Sequence, residues 1–233
     1  MKMKIDNFEQ VEALLDFSEG TFYKFVLLIR QKDGDNNLLT EGSNKTTVLK
    51  TFYVDSWEYY WEKKEIMKKI ARETGARVYM CTDKKDCAKL CISMMTELTK
   101  VFKSVIDGNS QAFRYIYKLI DSLTSKDEVS AKGSKMCMLD VDIKDEKVKE
   151  ALTEWAMSKN STPIVLESVN GYHIILKRNF DISKWKEDFK SNLNIDCAVM
   201  SYVNKGMVEI KHNAMCLVYV EIDSDNNRRS EGV

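Results

Sequence analysis

The chain has 233 residues, 44% of them hydrophobic and 31% charged, with 36 Lys+Arg against 36 Asp+Glu. That balance suits a globular chain with a proper core, one large domain or two small ones, and zero net charge excludes a bulk polyanion coat but not a local basic groove. No apolar run approaches the ~18 residues of a membrane span, no apolar segment follows Met1-Lys2-Met3-Lys4-Ile5-Asp6 as a secretory signal would, and one Pro with nine Gly excludes collagen-like and Pro-rich classes.

In chain order, residues 8–17 are predicted as a helix with Val11, Leu14 and Leu15 on one face, Asp6 or Asn7 as cap, and Ser18-Glu19-Gly20 as its end. The β-rich runs 22–30 and 46–54, on either side of the turn signal Asp33-Gly34-Asp35-Asn36-Asn37, predict a hairpin. Asp55 or Ser56 caps the next helix, 57–74, and Gly75 stops it. Residues 76–81 read as a short strand and 84–105 as a helix whose stripe of Leu90, Met94, Met95, Leu98, Val101 and Phe102 is assigned to the core. A helical stretch over 110–122 closes the first half.

The second half opens with a strand, 135–143, and a helix, 145–159, with Val148, Leu152, Trp155 and Ala156 at core spacing. Strands 163–168 and 172–177 flank an Asn170-Gly171 turn, a specific hairpin signal. A helix near 183–192, short strands over 196–200, 207–211 and 215–220, and a frayed polar tail, 224–233, complete the reading. The class is α+β, a mostly antiparallel sheet flanked by helices, with an N-terminal αβ half (1–125) and a second half (126–223) that together form either two units or one compact domain.

Six cysteines, at 81, 87, 91, 137, 197 and 216, form no CxxC pair, and only His173 and His212 are present to complete a zinc site. Most lie among apolar residues, where a thiol behaves as a small hydrophobe, so reduced structural thiols and a reducing cytoplasm are expected. No GxGxxG or GxxxxGK[ST] phosphate loop, GxSxG elbow or HExxH motif is present.

The sharpest chemical feature is Asp140-Val141-Asp142, entered from the apolar run Met136-Cys137-Met138-Leu139. Strand alternation puts both carboxylates on one face, about 7 Å apart. Either a hard divalent cation relieves their repulsion and then holds substrate phosphates, or the pair marks an exposed strand end with Asp142 or Asp145 capping the next helix. His173, just after the Asn-Gly turn, is read either as a phosphate contact or as a satisfied structural residue, and Lys177 with Arg178 as an ordinary strand end. His212 is placed in a turn between two strands. In the first half, Arg30-Gln31-Lys32 and Arg77 offer a basic surface or plain solvated charge, and Trp57, Tyr59, Tyr60 and Trp61 offer base stacking or core packing.

An Asp-x-Asp strand, a helix, and then a small-residue turn leading to a histidine on the next strand resembles the archaeo-eukaryotic primase superfamily, which includes primase–polymerases of phages, plasmids and archaea. Met138 to Asp142 looks like its first motif and Ser168 to His173 like its second, with Gly171 where the family often has Ser. For the third, a hydrophobic strand with an aspartate, Asp196 is chosen ahead of Glu209 and Asp223. The resemblance covers about residues 135–220 and implies a primase-like catalytic half. Asp140, Asp142 and Asp196 would hold Mg²⁺ or Mn²⁺, and His173 would contact the phosphates of a nucleoside triphosphate. Ser168, Lys177, Lys211 and His212 are the candidate neighbours, and a nucleic-acid template is the implied partner. The composition, low in Pro and rich in Lys, Asn and Ile, and the small size look like those of a phage-encoded protein. The expected function is metal-dependent nucleotidyl transfer of the primase type. The alternatives are a non-catalytic phage protein that binds a nucleotide or a partner on the same scaffold, and a metal-dependent phosphodiesterase or nuclease.

Overall fold

The computed structural model describes residues 2–30, 46–159, 161–192 and 197–223. The chain opens with β1 (Lys2–Asp6), α1 (Phe8–Glu12) and the antiparallel pair β2 (Thr21–Ile29) and β3 (Thr47–Val54). The predicted turn at 33–37 lies outside the described residues. Helix α2 (Trp57–Thr74) follows, and its ends obey local chemistry. The Ser56 side chain accepts from the Tyr59 amide at 3.3 Å, and Gly75 takes the left-handed conformation (φ 66°) that releases the chain. Then come β4 (Arg77–Cys81), the short β5 (Lys85–Asp86), α3 (Cys87–Ile106), a 3-10 segment (Ser110–Lys118) and α4 (Leu119–Thr124).

The second half runs β6 (Met136–Val141), α5 (Glu146–Ser158), β7 (Ile164–Glu167), β8 (Tyr172–Lys177), α6 (Trp185–Asn192), α7 (Cys197–Asn204), β9 (Val208–His212) and β10 (Met215–Asp223). Two antiparallel sheets result, so the α+β class holds. One has the order β1-β10-β4-β2-β3 with β5 beside β2, and the other the order β7-β8-β6-β9. From β6 to β9 the chain order and sheet order are those of the split β-α-β-β-α-β unit, in which the first and third strands lie at the centre. The last strand, β10, leaves that unit and inserts between β1 and β4 of the first sheet. Among the described residues no helix is long and apolar enough to cross a membrane.

Alternation along β6 decides what each face does. Cys137, Leu139 and Val141 point into a core shared with Val148, Leu152, Trp155, Phe189, Val199 and Val203 of α5, α6 and α7. Met138, with Ile175 and Leu166, faces the other way and joins the core of the first sheet, beside Phe8, Val11, Cys216 and Val218. The face opposite α5, α6 and α7 is therefore the one turned toward α1 and the first half of the chain, and Asp140 lies on it. Burial pushes the thiols of Cys137 and Cys216 up to about 12, and Cys81, Cys137 and Cys216 are free and buried.

Strands β1 and β5, absent from the reading of the sequence, are defined by pairing with β10 and β2, and three further elements differ from it. Helix α1 ends at Glu12 rather than Phe17, because the Tyr23 hydroxyl donates to Leu14 O (3.1 Å), accepts from the Asp16 amide (3.3 Å), and so captures the backbone just past the helix. The strand expected at 196–200 is helix α7 over 197–204. Its β-branched Val199 and Val203, four apart, are both buried against the α5 side of the core, and that burial outweighs β-propensity. Helix α3 buries only Leu90, while Met95 and Phe102, assigned to the core, are 70% and 48% exposed.

Candidate functional site

Strand register assembles the site. Asp140 of β6 stands directly opposite His173 of β8 on one side and Glu209 of β9 on the other, so the three side chains form one row across the sheet. Lys211, two residues beyond Glu209, lies opposite Met138 and reaches diagonally to Asp140 Oδ2, with Glu209 Oε2 3.6 Å away. His173 Nε2 sits 3.4 Å from Asp140 Oδ1. The Asp140 side chain is 17% exposed and that of Glu209 62%, so the row grades from the protein interior to solvent.

The electrostatics follow from these partners. Burial alone would raise the Asp140 carboxyl, but hydrogen bonds from His173 and Lys211 overcome it and hold the group down at about 2. The hydrogen bond to Asp140 raises Lys211 in return, aided by the charges of Glu209 and Asp142. His173 is oriented from behind: its Nδ1 accepts from the Leu217 amide at 3.1 Å, beside the register shift between Leu217 and Tyr219 of β10. With Nδ1 accepting, the ring hydrogen is on Nε2, where it faces the carboxylate.

Asn7, a residue the sequence offered only as a helix cap, completes the joint. It makes no capping bond. Its amide donates to Glu167 O (2.8 Å) and Leu217 O (3.0 Å) and accepts from Glu167 N (3.1 Å), tying β7 to β10. Lys85 was likewise hidden, because a lysine reads as solvated until its partners are known. It is fully buried, donating to Asn213 Oδ1 (2.7 Å) and Ser130 Oγ (3.1 Å), while Asp83 accepts from Ser130 Oγ and from the Met136 amide at the start of β6. No local pattern in the sequence signals either residue.

The remaining candidates separate. Asp142 is exposed just past the end of β6, its amide donating to Met207 O, and its charge bears on Lys211. It does not cap α5; Asp145 does. Ser168 is held in the hairpin turn, where its Oγ accepts from the Gly171 amide at 3.0 Å. Gly171 has no room for a side chain: an added Cβ would meet Ile143 N and O at 2.7 and 2.8 Å and Val141 O closer still. The crowding at the end of β6 thus explains why residue 171 is glycine. Lys177 is exposed at the far end of β8, four residues or about 13 Å from His173 along the strand. His212 ends β9 rather than sitting in a turn. It pairs with Cys137, on the helix-covered face, and its charge acts on Asp127 rather than Asp140. Asp196 lies outside the described residues. Arg77 is buried, with Nη1 3.4 Å from the Tyr79 hydroxyl, so it is no solvated basic patch. Of the aromatic group on α2, Tyr60 is buried and Trp57 and Trp61 are half exposed and stacked on each other.

An all-carboxylate donor set at Asp140, Asp142 and Glu209 suits a hard cation in type. As arranged, Lys211 already neutralises Asp140 while His173 hydrogen-bonds it, and among the described residues no three His, Cys, Asp or Glu groups converge closely enough to hold an ion. A cation therefore gains Asp140 only by displacing Lys211. Compared with known proteins, the chain matches no family model, no curated protein and no solved structure.

Proposed function

We propose that this chain is a nucleotidyltransferase of the primase–polymerase kind, acting on a nucleoside triphosphate at the face of the second sheet opposite α5, α6 and α7. The observation that carries the reading is the register row of His173, Asp140 and Glu209, with Asp142 and Lys211 beside it, across the central strands β8 and β6 and the edge strand β9 of a split β-α-β-β-α-β unit. Glu209 takes the third acidic place that the row offers. Mg²⁺ or Mn²⁺ at the carboxylates would neutralise phosphate charge and align the transferring group. Lys211, held by a carboxylate that an ion would claim, is the mobile cation that turns to a phosphate oxygen, while His173, anchored at Leu217, keeps Asp140 in place. A template strand would lie beside the solvent-facing end of the row, at Glu209. Paired carboxylates serve phosphodiester cleavage equally well, so hydrolysis is the competing outcome at the same residues.

A second reading has its own support. The Lys211–Asp140–His173–Leu217 chain is satisfied without any ligand, as expected of a binding protein or a purely structural joint. Calorimetric titration of Mn²⁺, with and without a nucleoside triphosphate, separates the two. On the first reading Asp140→Ala/Asp142→Ala abolishes metal-dependent triphosphate binding. Lys211→Met would then tighten Mn²⁺ binding in the absence of nucleotide, since the competing ammonium is gone. Identical titrations for wild type and both variants would discard the nucleotidyl-transfer site, and triphosphate binding that persists without metal or turnover would select the binding protein.

A further inference from the structure

Helix α3 presents an apolar stripe that nothing among the described residues covers. Ala88, Ile92, Met95, Thr99, Phe102 and Ile106 are all exposed, with Ile92 at 66%, Met95 at 70%, Phe102 at 48% and Ile106 at 84%. Their steps are 4, 3, 4, 3 and 4, the spacing of a two-helix seam rather than of scattered surface residues. Thr99 belongs to the stripe despite its hydroxyl, which is returned to Met95 O of its own helix at 2.8 Å and leaves the methyl outward. The opposite side of α3, through Leu90, packs on Phe22, Leu123 and Val129, so the helix is firmly placed and the stripe is not an unfolded remnant.

We propose that this stripe is the interface of a homodimer in which two copies of α3 pack antiparallel about a two-fold axis beside Glu97. That arrangement sets Ala88 against Ile106, Ile92 against Phe102, and Met95 against Thr99 of the other copy. Each small side chain meets a large one, which fills the seam without voids. A parallel pairing would set Ala88 on Ala88 and Thr99 on Thr99, leaving gaps, and crowd Phe102 on Phe102. The stripe is thus complementary to itself in one orientation, as an isologous interface must be. Its four large side chains expose on the order of 500 Å² per chain. Two such stripes facing each other bury on the order of 1,000 Å² in total, the lower bound for a specific interface. The inference does not depend on the reaction proposed above.

Sedimentation velocity of the full chain from about 1 to 100 μM tests it. The expected species is twice the 27.0 kDa chain mass. Met95→Glu and Phe102→Glu, both at solvent-facing positions, should each weaken association at least 100-fold with unchanged circular dichroism. Orientation is read by oxidative cross-linking in a Cys91→Ser background. Ile92→Cys mixed with Phe102→Cys should link across the two chains, and neither alone should link to itself. A monomeric wild type at 100 μM, or a dimer that survives both glutamates, would overturn the interface and return the stripe to some other partner. Self-linking of Ile92→Cys would overturn the antiparallel pairing.

Discussion

Replacing Asp140 by Asn removes a charge while leaving an oxygen to accept from His173 Nε2. The wild-type carboxyl is held at about 2 against an ordinary 3.8. At about 1.4 kcal/mol per unit, the difference corresponds to about 2 kcal/mol, and solvent reaching the 17% exposed side chain brings the expected contribution to between about 1 and 2 kcal/mol. The folded value is depressed, so the stabilisation is fully present above about pH 4 and is lost as pH falls toward 2. Urea unfolding at pH 7, 5, 4 and 3 reads it directly. Asp140→Asn should be less stable than wild type by about 1–2 kcal/mol at pH 7, and that gap should narrow to roughly half by pH 3. A gap of the same size at pH 7 and pH 3 would show that the loss comes from shape rather than charge. No gap at pH 7 would refute the claim that His173 and Lys211 together outweigh the desolvation of this carboxylate.

Two further outcomes test how the sheets are joined. Asn7→Leu keeps the volume but strands the Glu167 amide and two carbonyls, and should cost about 2–4 kcal/mol in urea unfolding; a cost below about 0.5 kcal/mol would mean the amide is replaceable by water. Gly171→Ala must push the hairpin off the end of β6, and should lower stability by at least about 2 kcal/mol and broaden the amide signals of Tyr172 and His173; a neutral Ala would show that the approach to Val141 and Ile143 relaxes freely.

Much of the fold was legible along the chain. Alternating apolar runs located β2, β3, β4, β6, β8 and β9 to within a residue or two, and Ser56 with Gly75 delimited α2, because strand period, cap bonding and left-handed glycine act over at most a few residues. The same local pattern selected Asp140 and His173 as chemically unusual: a carboxylate inside an apolar strand and a histidine leading one are visible without knowing what they face.

What those two residues face was settled only in three dimensions. His173 is anchored by an amide 44 positions away, and Asn7 by a carbonyl 210 positions away, and no window of neighbouring residues encodes such partners. The register of β6 against β9 brings Glu209 and Lys211 to Asp140 and sends His212 to the opposite face, a choice that turns on a single-residue slip. Helix α7 and the short α1 show the same thing from the side of secondary structure: Val199 and Val203 follow the core they fill, and Leu14 follows the Tyr23 hydroxyl. By itself the sequence determined where the elements lie and which residues are chemically out of place. Tertiary structure decided which faces meet, because burial and hydrogen bonding are properties of pairs of surfaces that the chain brings together only on folding.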